Sequence, residues 1–171
     1  ISQAQILSLR YAVVVTNPPY MGSKNMSGAL TAWLKANYAR SKSDLMTAFM
    51  ERSAELCEKH GAWAMINLPS WMFLSSFHAL REWLLTSQSI GSLVHLGRGV
   101  FGSDFGSVAF TVDNVPVSQT ATGVYRRLFE KHVDVRANSV IEALFLDFTY
   151  NRYEMLQHAF GRIPGSPIVY W

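Results

Sequence analysis

An α/β fold, parallel over its first strands, is what this sequence predicts, and three observations carry that reading. Apolar runs at 12–16, 62–68 and 90–96 alternate with helical patterns at 44–60 and 77–86, the order of a layered sheet with crossover helices. The first run, Ala12 to Thr16, is β-branched and does not alternate in polarity, which is the pattern of a strand buried on both faces. The fourth run, SVAFTV from Ser107 to Val112, follows the third across a glycine-rich turn and not a helix. It is therefore expected to be antiparallel and at or near the edge.

Each element follows from local signals. The first strand ends at Asn17-Pro18-Pro19-Tyr20. Residues 21 to 43 lack a stable period, although Trp33, Leu34 and Tyr38 suggest a short helix inside this connection. In DLMTAFMERSAELCEKH, Leu45, Phe49 and Leu56 share one face, and Glu51, Glu55, Glu58 and Lys59 lie opposite. Asp44 suits the N-terminal cap of that helix and Gly61 its stop. AWAMINL, closed by Pro69-Ser70, is the second strand. Phe77 to Thr86 is a helix with Leu80, Trp83 and Leu84 apolar, and IGSLVHL is the third strand before the turn GRGVFGSDFG. VPVSQTATG, after Asn114, reads as a linker, followed by helical patterns around Tyr125 to Lys131 and Val140 to Phe160. The closing PIVYW resembles the beginning of a further strand.

Composition narrows the function classes. The 171 residues are 49% hydrophobic and 13% aromatic, which excludes a disordered chain, but only 16% are charged, against about 25% in typical globular proteins. That shortfall predicts apolar surface that something else covers. Together with a first residue, Ile1, that is not Met, it leads us to expect a fragment of a larger protein. A net charge of +3 permits a polyanionic partner without requiring one. Cys57 is the single cysteine, so no disulfide framework is available, and a buried thiol is expected. His60, His78, His95, His132 and His158 show no ligand spacing, so no metal site is expected. No secretory signal is visible, and the longest apolar stretch, WAMINLPSWMFL, is too short to span a bilayer. The expected location is the cytoplasm.

The chemistry concentrates at VVVTNPPYMG, Val13 to Gly22. Ligands of open α/β sheets bind beyond the carboxyl ends of the strands, where this motif lies. Each proline fixes its own φ and extends the residue before it, so the chain leaves the sheet stiffly. The Asn17 side chain and the Pro18 carbonyl then offer two acceptors to one NH₂ group, and Tyr20 offers a face for stacking. The amino group of adenine is a poor nucleophile because its lone pair is delocalised into the ring. Two acceptors on its hydrogens favour a more tetrahedral, electron-rich nitrogen, and transfer of a methyl group then needs positioning and electrostatics and no strong base. The same acceptor pair would serve a glutamine side chain or an RNA base, and a non-catalytic nucleic-acid-binding module could retain the fold.

TNPPY resembles the hallmark of amino-methyltransferases that use S-adenosylmethionine, above all the N6-adenine DNA methyltransferases. SDLMTAF, GAWAMINLPSW and LGRGVFGSDFGSVAFTV follow in the order of later blocks of the γ-type enzymes. NPPYMGSK, SWMFLSSF, LVHLGRGVFGSDFGSVAF and IPGSPIVYW resemble the PglX-type methyltransferases of BREX phage-defence systems and, beside them, fused restriction–methylation enzymes. The resemblance implies the C-terminal half of a Rossmann-like methyltransferase domain over 1–114. It implies a linker and the start of a mostly helical, target-recognition-linked unit over 115–171. It implies transfer of a methyl group to an adenine flipped out of double-stranded DNA, with the rest of the parent polypeptide and other defence proteins as partners.

Position by position, the resemblance makes Asn17, Pro18, Pro19 and Tyr20 catalytic. It puts Tyr20 and Phe101 against the target base, and Pro19 and Phe49 against the cofactor. Core packing is the alternative for Phe49, and Trp71 is expected to act as a hydrophobic lid. Lys24, Lys35, Arg40 and Lys42 are candidates for phosphate contacts, and Asp104 for a turn cap or a functional acid. The departure is upstream: no G-x-G loop and no ribose-binding acid precede Asn17, and the glycines of GRGVFGSDFG follow the wrong strand to replace them. The target-base half of a site is present and most of the cofactor half is not, so this stretch alone is expected to be inactive.

Overall fold

A computed structural model describes residues 2–101, 105–131 and 134–171. Six strands form one sheet in the order β1-β2-β4-β3-β5-β6. They are β1 (Tyr11–Thr16), β2 (Cys57–Asn67), β3 (Ser89–Arg98), β4 (Gly106–Asp113), β5 (Thr122–Arg127) and β6 (Arg152–Leu156). The helices are α1 (Gln3–Ser8), α2 (Gly28–Asn37), α3 (Leu45–Leu56), α4 (His78–Ser87) and α5 (Asn138–Leu146). β1 pairs parallel with β2, and β3 with β5, while β4 runs antiparallel to both of its neighbours. The expected α/β class is the class observed, and β1, β2, β3 and β5 all point their carboxyl ends to the same rim.

One face of the sheet carries the main core. Trp63 and Met65 of β2, Leu93 of β3, and Val108, Phe110 and Val112 of β4 meet Met46 and Met50 of α3 and Leu80 and Leu84 of α4. The alternation of β2 and β4 is that of strands whose two faces differ in cover. The opposite face has a smaller cluster in which Ile141 of α5 joins Leu96 and Leu128, with Ile66, Val94 and Ala109 alongside. Arg126 ties the end of α5 to the sheet by donating to the carbonyls of Leu144, Phe145 and Asp147 (2.7, 2.9 and 2.5 Å). A cation there complements the negative end of the helix dipole.

Several local expectations are corrected. β4 is interior, between β2 and β3, because it folds back into the gap between two parallel strands and its ladder is satisfied on both sides. β1 is not buried on both faces: Val14 packs on the core, but Val13 and Val15 are 64% and 72% exposed. The pattern around Tyr125 to Lys131 is the strand β5, whose Tyr125 is fully buried against Phe160 and Tyr170. The one around Val140 to Phe160 breaks at Asp147, whose carboxylate accepts from the Thr149 N–H and hydroxyl; α5, β6 and a 3-10 turn share that span. Both added strands extend the sheet across the linker-like stretch after Asn114. The chain after Ile163 is no strand, although Ile168 and Tyr170 are buried in the core.

The helix α3 corrects a face and a stop. Met46, Met50 and Ala54 face the main core, while Ala48 packs on Leu34 and Tyr38 beside α2. Glu51, expected in solvent, is buried, paired with Arg40 Nε at 2.7 Å and accepting from the Ser41 hydroxyl. The connection 38–44 folds over that face, which no helical period reveals. Gly61 does not end α3, since β2 begins at Cys57; a side chain at Gly61 would sit 2.6 Å from the Ala12 carbonyl and 2.8 Å from Cys57 Sγ. The glycine allows β1 to approach β2. Cys57 is buried, as expected.

Candidate active site at the carboxyl rim of the sheet

The motif Asn17 to Tyr20 leaves β1 at the carboxyl rim, where Pro18 is buried while Asn17, Pro19 and Tyr20 are exposed. Two fixed φ angles in succession prevent the chain from turning back into the ladder. The segment after them is tied down by Asp44. Its Oδ1 accepts from the Met46 N–H at the start of α3 (3.0 Å) and also from the Met21 N–H (3.1 Å). The Leu45 N–H donates to the Met21 carbonyl (2.9 Å), and Gly22 bridges to Asp44. Asp44, read from sequence as a cap alone, therefore also sets where the Asn-Pro-Pro-Tyr loop ends.

Tyr20 closes the loop on the next strand. Its hydroxyl lies 3.0 Å from Asn17 Oδ1 and 3.4 Å from the Ile66 carbonyl of β2, donating toward both. Partial burial raises the Tyr20 pKa, so the group stays a neutral donor. An amide oxygen has two lone pairs, so Asn17 Oδ1 retains one for another donor.

The cleft at this loop has a volume of about 560 Å³ and is lined by Asn17, Pro18, Pro19, Tyr20, Phe101, Phe105 and Ser107. Five of the six residues expected at the site thus share one cleft, although Phe101 is separated from the motif by 80 residues of chain and two further strands. Phe101 is 53% exposed, consistent with a ring free to meet a ligand. Phe105 and Ser107 were missed; the signal was their nearness to GRGVF, at the amino end of an antiparallel strand that starts on this rim.

Phe49 lies elsewhere. It is partly buried against the main core and lines a separate cavity of about 160 Å³ with Trp33, Leu34, Tyr38, Leu45, Ala48 and Arg52. Its apolar walls suit a flat aromatic ring, and Arg52 provides nothing for a positively charged sulfonium. Trp71 is not a lid: it is fully buried, its Nε1 donates to Asn67 Oδ1 (2.9 Å), and its ring packs on Phe110. Lys24, Lys35, Arg40 and Lys42 are all exposed, and Arg40 is at the same time paired with Glu51 and placed over the Trp83 ring. Asp104 and His132 lie outside the described residues. Among those residues no helix is long and apolar enough to cross a membrane.

The family described as Eco57I restriction-modification methylase matches residues 3–101. The chain is 40% identical over 176 residues to the adenine-specific methyltransferase BrxX of Escherichia coli O9:H4 (strain HS), covering 100% of this chain and 14% of that protein. It is 41% identical over 170 residues to the adenine-specific methyltransferase PglX of Lacticaseibacillus casei (strain Zhang), covering 96% of this chain and again 14% of the relative. The chain therefore spans about one-seventh of the length of these curated relatives. Among solved structures, the methyltransferase subunit of a type I restriction-modification system from Streptococcus thermophilus aligns with a TM-score of 0.66 at 13% identity, over 93% of this chain and 37% of that one. The ATP-dependent type ISP restriction-modification enzyme LlaBIII, bound to DNA, aligns with a TM-score of 0.65 at 15% identity, over 89% of this chain and 12% of that one. At those identities the structures speak for the fold.

Proposed function

This chain belongs to the Eco57I restriction-modification methylase family, and from that premise we propose that it forms the target-base half of an N6-adenine DNA methyltransferase acting in phage defence or restriction-modification. The observation that carries this is the convergence of Asn17, Pro18, Pro19, Tyr20 and Phe101 on one cleft at the carboxyl rim. The substrate is double-stranded DNA from which one adenine is flipped. Asn17 Oδ1, with its free lone pair, and the Pro18 carbonyl accept the two amino hydrogens. Tyr20 stacks on the ring while its hydroxyl keeps the Asn17 amide in orientation. Phe101 packs on the base from the far side of the cleft.

S-adenosylmethionine supplies, when bound, a methyl group on a sulfonium sulfur. Of the residues present, Pro19 borders its side of the loop and Phe49 offers an apolar wall for its adenine ring. Ordered acceptors aimed at developing charge contribute about 10²–10³ in rate each. Replacing the exposed Asn17 with Ala in the full-length protein is expected to slow methylation by about that factor and so to lower genomic N6-methyladenine, read by mass spectrometry of digested DNA. Unchanged N6-methyladenine would sink the reading.

A further inference from the structure

The carboxyl rim continues past the Asn17–Tyr20 cleft into a second cavity of about 660 Å³. Phe105 lines both, so the two adjoin. The second cavity sits beyond the carboxyl ends of β2, β3 and β5, between Ser70, Phe73, His95, Phe129 and Trp171. Five of its eleven lining residues are aromatic. Phe73 and His95 lie nearly parallel, at 28° with centroids 6.5 Å apart, and Phe73 meets Trp171 edge-on at 5.9 Å.

Arg127 gives this aromatic cavity a polar edge. Its guanidinium lies over the rings of Phe129 and Trp171, at 5.7 and 5.2 Å from their centroids. Its Nε is buried and has no hydrogen-bond partner among the described residues. That nitrogen is sealed from the cavity too, so the side chain meets the cavity through its other atoms, held over the two rings. Glu130, at the same edge, accepts from the Tyr150 hydroxyl (2.8 Å) and the Asn151 amide (3.2 Å). Those bonds, Tyr150 first, hold the Glu130 carboxyl below the usual range.

A ligand for this cavity needs flat π-faces, an acceptor on one edge and a covalent route from the first cleft. Resting on the methylation reading above, we propose that the cavity receives a second nucleobase, the neighbour of the target adenine on the same DNA strand, unstacked against the aromatic walls with a ring acceptor toward Arg127. Aromatic rings interleaved with arginine form the usual platform for unpaired bases. An arginine at a base edge prefers the carbonyl and ring nitrogen of guanine, so the cavity also contributes sequence preference next to the target.

The test uses the full-length protein and duplexes carrying the site it methylates in its host genome. 2-Aminopurine in place of the target adenine reads flipping. An abasic nucleotide on either side of the target, with single-turnover methylation as readout, reads the second cavity. We expect the abasic change on one side to slow methylation roughly tenfold or more, in keeping with the energy of one stacked base. Arg127→Gln and Phe73→Ala are expected to slow the intact duplex similarly and to respond less than about twofold to the abasic change, because base and side chain act as one unit. Equal abasic penalties in wild type and both variants, or none in wild type, overturn the proposal while flipping persists. Absence of the 2-aminopurine signal in wild type overturns the methylation reading, and this one falls with it.

Discussion

On one face of the sheet α3, α4 and the segment through Phe160 to Tyr170 bury a continuous core; on the other, α5 closes only a small cluster around Leu96 and Leu128, and β1 together with Thr111 of β4 stays exposed. Leu84 on the first face is fully buried, while Val15 on the second is 72% exposed. Both are residues that a reading of hydrophobicity would place inside. A β-branched run states that a surface is suited to cover, and only the packing states whether the described residues supply that cover. Val13, Val15 and their neighbours form the kind of exposed apolar area that marks an interaction surface, which agrees with the low charge content of the chain.

Substitutions on the two faces should separate them by size. Leu84→Ala, in the sealed core, is expected to cost about 2–5 kcal/mol in denaturant unfolding, and a cost under about 1 kcal/mol would mean that face is looser than the packing implies. Ile141→Val, on the inward side of α5, removes one methylene from a small cluster and should cost about 0.5–1.5 kcal/mol. A value matching that of Leu84→Ala would erase the distinction between the faces. Val15→Thr, on the bare part of the second face, should change stability by no more than about 0.5 kcal/mol. Measured again in a protein of the relatives' length, a larger cost for Val15→Thr would report that another part of the polypeptide lies on β1.

The second cavity at the rim follows the same division. That Asn17, Pro18, Pro19 and Tyr20 leave the sheet together was legible because they are contiguous and stiff, and that Phe101 shares their cleft was expected from the resemblance. Arg127 and Trp171 were not, because each sits in a segment whose local pattern suggests something else, a helix for Arg127 and the start of a strand for Trp171. Nothing local distinguishes an arginine on an aromatic platform from one in solvent. Phe49 shows the converse: its place on a helix was legible, whereas Trp33, Tyr38 and Arg52, which complete its cavity, come together only by packing.

The α/β class, the first four strands, the cap at Asp44 and the stiff exit of Asn17 to Tyr20 from β1 were legible in the sequence, since each depends on neighbours a few residues apart. Tertiary structure alone decided that β4 lies inside the sheet, that β5 and β6 extend it, that Glu51 is buried and that Gly61 serves strand approach. It also decided that Phe105 joins two cavities on one rim. Those outcomes depend on which distant surfaces meet, and strand partners are chosen by burial and ladder satisfaction across the whole sheet and not by the residues on either side in the chain.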